Sequence, residues 1–450
     1  MNTVIYWFRH DLRLIDNPGF TNACQLADNI VPVYVNDASL TEPTQWEFSR
    51  LSTHRTHFLS TALTGLDELL QEKGSKLLQL EGEIVQELVV LAQSLGTTEI
   101  HCEKIAAPFE QSVVDKLRAK GLKVVETWQS SMLDFGALPF TVENLADIFT
   151  TFRTQIEKCG LKARKPQKAI SIIPPLPEKF NLQKSIPTIH SAIQPHQKTY
   201  PYPLADYPLA VHSFPYDQTD FFGSQQAAVR HLENYFSTDL AHTYKETRNG
   251  LCGIDYSTKF SPWLSIGSVS APMIIEALDN FEEKNGSSKS SYWIWFELMW
   301  RDYFRLLHLK YGKLLYREQG ISSHAKNANK YAKAHLLKHA AQFEQWCEGR
   351  TGVPLIDAAM RELKSTGYLS NRLRQVVASY LIYDLGLDWR AGAAWFESQL
   401  IDYDVYSNQG NWLYIAGRGS DPRGGRPFNV QKQTHDHDPQ GQYRKSWGCT

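Results

Sequence analysis

The residues able to do chemistry are concentrated at positions 361–430, where Asn371, Arg372, Arg374, Asp402, Asp404, Asn408, Trp389 and Trp412 interrupt otherwise apolar helical sequence. Buried polar groups must find partners. Helical spacing sets Arg374 on the face of Tyr380 and Leu381, away from solvent, and Asp402 is the acid suited to it. A helical core with a few satisfied ion pairs explains any one of these residues. Together they read as the lining of a pocket for a large, flat, polar-edged cofactor. A second cluster, YKETRNGLCGIDYSTKFSPWLSIG at 244–267, brings the hydroxyls of Ser257, Thr258 and Ser261 to a helix start opened by Pro262. Such a start is an anion site suited to a pyrophosphate. A third, FELMWRDYFRLLHLKYG, spaces Glu297, Trp300, Arg301 and Phe304 along one helix face. A carboxyl group dehydrated beside an indole stays near neutral and can donate a hydrogen bond to a bound carbonyl; an exposed acid beside a core tryptophan is the plainer alternative. Arg248, Arg301, Arg372, Arg418, Arg423 and Arg426 would form a local basic rim for phosphates.

To position these groups, 450 residues suffice for two domains with sizeable cores. Apolar runs at 4–8, 30–35, 100–103 and 123–126 read as buried strands, alternating with amphipathic helices at 50–73 and 84–95. This predicts a doubly wound parallel α/β, Rossmann-like domain over 1–131. Its first strand runs into RHDLRLIDNPG rather than G-x-G-x-x-G, so no dinucleotide is expected there. The Pro-rich stretch 132–214, with the basic run KARKPQK, reads as a solvated connector. An all-α domain follows over 215–436, with helices at 225–236, 272–283, 293–310, 354–366, 371–385 and 389–400, and a short tail over 437–450. A diphosphate at 257–261 and a pocket at Asp402, Asp404 and Asn408 together suit a flavin dinucleotide.

The formal net charge of −1 excludes a generally basic coat, so any DNA site must be a local patch. Six cysteines without a C-x-x-C indicate neither a zinc module nor a disulfide framework, and fit the cytoplasm. The chain enters a strand at once, without a signal-type apolar segment, and no run is long enough to span a bilayer. His435 and His437 lack a further ligand cluster, so a solvated tail is expected rather than a metal site. Twelve tryptophans invite a search for an electronic role.

The segments WFRHDLRLIDNP, TYKETRNGLCGIDYSTKFSPWLSIG, FELMWRDYFR, WCEGRTGVPLIDAAMRELKSTGYLSNRLRQ and GNWLYIAGRGSDPR resemble the photolyase/cryptochrome family over nearly the whole chain. TYKETRNG, Tyr414 after NWL, Gln375 after NRLR and the FN..KQ..DHDPQG ending are similar to its DASH cryptochromes. The resemblance implies an antenna domain followed by a helical FAD-binding domain. FAD would be held by Tyr244, Ser257, Thr258, Lys259, Phe260, Ser261, Arg374, Asp402, Tyr403 and Asp404, with Asn408 facing flavin N5. Glu297, Trp300, Arg248, Arg301, Asn371, Arg372, Gln375 and Tyr414 would contact a pyrimidine dimer and its flanking phosphates. Trp412 and Trp389 match members of an electron-transfer chain whose third tryptophan is expected near 336, where only Leu336 and Leu337 occur; Tyr331 or Trp395 would then complete it. An antenna, 5,10-methenyltetrahydrofolate, would sit at the domain interface near Glu110, whose neighbour Phe109 departs from the polar residue of some relatives. The implied activity of this monomer is blue-light repair of cyclobutane dimers, mainly in single-stranded DNA. Its rival is a signalling photoreceptor; signalling members usually carry a long C-terminal extension, and this chain stops soon after the last motif. A flavin oxidoreductase of another class would need a nicotinamide site that no Gly-rich loop supplies.

Overall fold

The computed structural model describes residues 2–178, 213–214, 221–321 and 340–449. Strand β1 (Thr3–Trp7) is apolar throughout because both its faces are covered: Val4, Ile5 and Tyr6 have no exposure. With β2 (Asn29–Asp37), β3 (Leu78–Gly82), β4 (Glu99–Glu103) and β5 (Lys123–Thr127) it forms a five-stranded sheet of order β3-β2-β1-β4-β5. All pairs are parallel, with Ile5 opposite both Val31 and Ile100. The helices α1 (Pro18–Leu26), α2 (Thr53–Gln71), α3 (Ile84–Leu95) and α4 (Pro108–Ala119) alternate with the strands. The winding reverses between β1 and β4, which opens a crevice at the carboxyl ends of those strands. Strand β3 escapes a periodicity reading because it is an edge strand in which Leu80 alone is buried.

The stretch expected to be a solvated connector is more structured than its prolines suggest. It contains α5 (Phe149–Lys158), whose Phe149, Phe152 and Ile156 are buried. In KARKPQK, Arg164 grips Asp16 through both nitrogens, at 2.5 and 2.9 Å, so this run is partly a structural tie. Asp16, held at φ 54°, also accepts from Ser270. The neighbouring Arg13, 1% exposed, donates to Asp16 O and, at 3.0 Å, to Gly267 O in the helical region. The RHDLRLIDNP segment is thus the seam that joins the two halves.

The helices that follow are α6 (Gln225–Phe236), α7 (Leu240–Thr247), α8 (Ser261–Ile266), α9 (Ala271–Asn285) and α10 (Ser291–Tyr311). After the gap come α11 (Ala340–Cys347), α12 (Pro354–Thr366), α13 (Asn371–Ser379), α14 (Trp389–Gln399), α15 (Val405–Ile415), α16 (Val430–His437) and α17 (Gln442–Ser446). The helix expected over 371–385 widens into a π-helical turn, Tyr380–Asp384, from which Tyr383 donates to Ile415 O at 2.7 Å. His435, where a solvated tail is expected, is exposed but on a helix, and the short tail beyond is anchored: Tyr443, Trp447 and Cys449 are buried, and Tyr443 donates to the buried Glu362. No helix among the described residues is long and apolar enough to cross a membrane.

Gly267 ends α8 at φ 75°, and a Cβ there would collide with the carbonyl of His10. Gly267→Ala should therefore cost more than ~2 kcal/mol of stability. Denaturant unfolding followed by circular dichroism measures this, and an unchanged midpoint would remove the seam's packing argument.

Candidate active site

Asp402, in the loop between α14 and α15, gathers three segments. Its Oδ2 accepts from Ser261 Oγ at 2.7 Å and from Arg374 Nη2 at 2.8 Å. Its Oδ1 is buried and has no hydrogen-bond partner. Asp404 differs: one oxygen caps α15 through Ser407 N at 2.7 Å, and the other accepts from Arg305 at 3.2 Å. Burial alone would raise the Asp404 carboxyl, but Arg305 and Arg301 outweigh it and hold the group below its ordinary pKa. Asn408, one turn into α15, donates to Ala393 O at 3.0 Å. Asn408, Asp402, Tyr403, Arg374 and Trp412 line one cavity.

A second pocket, of about 220 Å³, is walled by Tyr244, Ser257, Thr258, Lys259, Phe260 and Ser261. Lys259 is 2% exposed at φ 54°, its Nζ lies 3.4 Å above the Tyr256 ring, and it has no hydrogen-bond partner. Burial drives the Lys259 pKa far below the ordinary ammonium range, although Glu362 opposes the fall. Glu362 is itself pushed up to about 7 by burial, despite donation from Tyr443 and Ser213. A buried Lys259 Nζ without a hydrogen-bond partner, beside two hydroxyl residues, and an unused Asp402 oxygen are what a diphosphate and an N–H or hydroxyl donor would satisfy. The residues fit a flavin dinucleotide.

A third and larger cavity, of about 600 Å³, opens beside Glu297 and Trp300 and shares Asn371, Arg374, Gln375, Asp402, Ser407 and Asn411 with the first. Glu297 is ion-paired with Arg248. Burial raises the Glu297 pKa, and Arg248 restrains the rise. One face of Trp300 is covered by Phe149, with ring centroids 3.6 Å apart and planes 12° from parallel; its edge meets Tyr414 at 5.6 Å. Tyr414 accepts from Arg426, which Asp421 holds at 3.1 Å. Gln375 accepts from Arg372 at 3.3 Å, and Arg372 reaches Asn249 at 2.9 Å. Of the expected basic rim, Arg248, Arg301 and Arg426 line this cavity, whereas Arg372, Arg418 and Arg423 do not. Arg301 requires correction as a phosphate contact. It is buried, and its nitrogens are spent on Ser130 O at 2.6 Å and Leu264 O at 3.3 Å.

Trp412 packs edge-on against Phe396 at 5.1 Å and Trp346 at 6.5 Å. Trp389, which starts α14, donates to Glu318 O at 3.0 Å. Trp346, ten residues past Leu336, is not singled out by sequence spacing; its contact with Trp412 is what distinguishes it. Leu336, Leu337 and Tyr331 lie outside the described residues. Trp395 packs against Phe48 at 5.2 Å.

In the crevice between β1 and β4, Glu110 lines a cavity of about 140 Å³ with Trp7, Arg9, Tyr34, Arg50 and Phe109. Its Oε2 is buried without a partner. Tyr403 lines both this cavity and the one at Asp402. Among the described residues no group of three His, Cys, Asp or Glu is arranged to hold a metal.

Residues 4–173 match the DNA photolyase family model, and residues 293–448 match the FAD binding domain of DNA photolyase. The chain belongs to the photolyase/cryptochrome family. Its relatives include the cryptochrome DASH of Vibrio parahaemolyticus, 39% identical over 98% of this chain and 92% of that protein. The cryptochrome DASH of Xenopus laevis is 40% identical over 99% of this chain and 82% of that protein. A solved Synechocystis cryptochrome structure superposes with a TM-score of 0.85 at 37% identity, covering 99% of this chain and 88% of that one.

Two outcomes follow for this photolyase-type site. Asp402→Ala leaves the largely buried Arg374 unpaired, so purified protein should lose its flavin absorbance and ~3 kcal/mol of stability; full flavin occupancy would remove Asp402 from the site. Glu362 binds its proton more tightly in the folded protein than in the unfolded chain, whose carboxyl titrates near 4.5. Stability should therefore fall as pH rises from about 4.5 to about 7. Glu362→Gln should flatten that slope in unfolding measured across the same range, and a slope identical to wild type would assign it to another group.

Proposed function

We propose that this protein is a blue-light-driven lyase that splits cyclobutane pyrimidine dimers, chiefly in single-stranded DNA. The observation that carries this reading is the wall shared by two cavities, at Asn371, Arg374, Gln375, Asp402, Ser407 and Asn411, which would bring a flavin and a dimer into contact. FAD, when bound, reduced and excited by blue light, supplies the electron that opens the cyclobutane ring and receives it back. Tyr244, Ser257, Thr258, Lys259, Phe260 and Ser261 would hold its diphosphate side. Arg374, Asp402, Tyr403, Asp404 and Asn408 would hold the ring side, where Asn408 offers an amide in place of a carboxylate.

Glu297, dehydrated and steadied by Arg248, would donate a hydrogen bond from its protonated form to a dimer carbonyl. Trp300, backed by Phe149, leaves one face for a dimer base. Asn371 and Arg372 stand where the flanking backbone would pass. Extruding a dimer from a duplex costs a few kcal/mol that a single strand does not require. The polar walls at Gln375 with Arg372, and Tyr414 with Arg426, recover less of that cost than an indole or thioether would. Trp412 and Trp389 would relay electrons inward from an external reductant. A 5,10-methenyltetrahydrofolate antenna would use the cavity at Glu110, whose unpartnered Oε2 suits a pterin N–H.

The test is light-dependent repair of a defined thymine dimer by the reduced protein, in a single strand and in the matching duplex. Repair of the single strand with little in the duplex is expected, and Glu297→Gln should lower it at least tenfold. No repair of either, with FAD bound, would overturn the lyase in favour of a signalling photoreceptor. Trp389→Phe should slow flavin photoreduction sharply while sparing repair by chemically reduced protein; unchanged photoreduction kinetics would show that electrons travel by another route.

A further inference from the structure

Toward the rim of the large cavity the start of α10 changes character. Trp293 and Phe296 line the same cavity as Glu297 and Trp300, and neither ring is fully buried. Their centroids are 4.4 Å apart. Two cations stand over Trp293, Arg248 at 4.9 Å and Lys245 at 5.7 Å, and Arg153 stands 5.7 Å from the Phe296 ring. The adjacent acids are engaged: Glu297 by Arg248, Glu246 by Ser290, and Glu157 by Tyr292 and Arg153. Lys245 N donates to Ser290 Oγ at 2.7 Å, so α7 and the start of α10 are fixed to each other.

We propose that Trp293 and Phe296, with Arg248 and Lys245, form a stacking ledge for the unpaired nucleotides that flank the lesion in a single strand. The proposal rests on the reading of the cavity as a single-strand DNA site, and it names what selects that strand. Aromatic faces interleaved with cations bind unpaired bases and their phosphates together. Seven residues of helix separate Trp293 from Trp300, about 10 Å along the axis, or roughly three base steps at 3.4 Å each. The stacked base is therefore one to three nucleotides from the dimer. In a duplex that base is already stacked and paired, so the ledge contributes nothing. Selection of the single strand is then an attraction supplied by the ledge as well as an extrusion cost avoided.

The experiment is equilibrium binding of the flavin-loaded protein to short undamaged single strands whose nucleotides are replaced one at a time by abasic sites, which delete the base and keep the phosphate. Wild type should lose about tenfold in affinity when the stacked base is removed. Trp293→Ala should bind intact and abasic strands alike, and Trp293→Phe, which keeps a ring, should restore most of the difference. Flavin content and unfolding midpoint establish that each variant is folded. Abasic strands bound by wild type as tightly as intact ones would overturn the ledge, as would a Trp293→Ala loss of equal size on both strands. Because undamaged strands suffice, the outcome is independent of repair: base-dependent binding without light-driven repair sinks the lyase reading and leaves the ledge standing.

Discussion

The helical half of the molecule depends on how one buried carboxylate is shared. Asp402 Oδ2 holds Ser261 at the start of α8 and Arg374 on α13, while Asp402 itself hangs from the loop between α14 and α15. Three segments far apart in sequence are drawn to one point. The other oxygen remains dehydrated and unpaired. A buried charge kept half-satisfied destabilises the empty fold, so the arrangement makes sense in a protein whose native state includes a ligand that donates a hydrogen bond there. Lys259 Nζ, over the Tyr256 ring and without a hydrogen-bond partner, repeats the logic for a donor. Asp404, with both oxygens committed to a helix cap and to Arg305, is structural by comparison, and sets the pitch of α15 from which Asn408 projects.

The outer cavity is built on a different physical footing. One of its aromatic surfaces, Trp300, is made rigid from behind by Phe149, contributed by a helix within the Pro-rich stretch, and Trp293, Phe296 and Phe304 add further apolar wall. Its polar walls include the pairs Gln375 with Arg372 and Tyr414 with Arg426, while Asp402 Oδ1 stays without a partner. Beyond that oxygen a guest must bring its own favourable contacts, which places the weight of recognition on the aromatic faces.

Much of this was legible because burial and period agree. The strand at 4–8 and the helices at 225–236 and 354–366 carry clear apolar periodicity, and Asn371, Arg374, Asp402, Asp404 and Asn408, polar in apolar surroundings, come together at the Asp402 site. What resisted reading were places where composition misleads. Strand β3 is an edge with one buried side chain, so its pattern resembles a turn. KARKPQK looks solvated, yet Arg164 is spent on Asp16, a partner nearly 150 residues earlier. The end of the chain is polar in sequence but anchored by Tyr443 and Trp447. Arg301 shares a helix face with Glu297 and lines the same cavity, and periodicity alone cannot tell that its guanidinium nitrogens are spent on backbone carbonyls. Trp346 reveals its proximity to Trp412 only in three dimensions.

Tyr403 lies between Asp402 and Asp404 in the chain and between two cavities in space, the one at Asp402 and the one at the β1/β4 crevice. A single phenol ring is thus a party wall, steadied by the Arg55 guanidinium 5.0 Å above it. Whatever occupies the two rooms is separated by a spacer whose length and angle are set by consecutive peptide units and not by the looser fit of one domain on another. Any coupling between two such occupants that depends on distance and orientation would in that sense be written into the backbone.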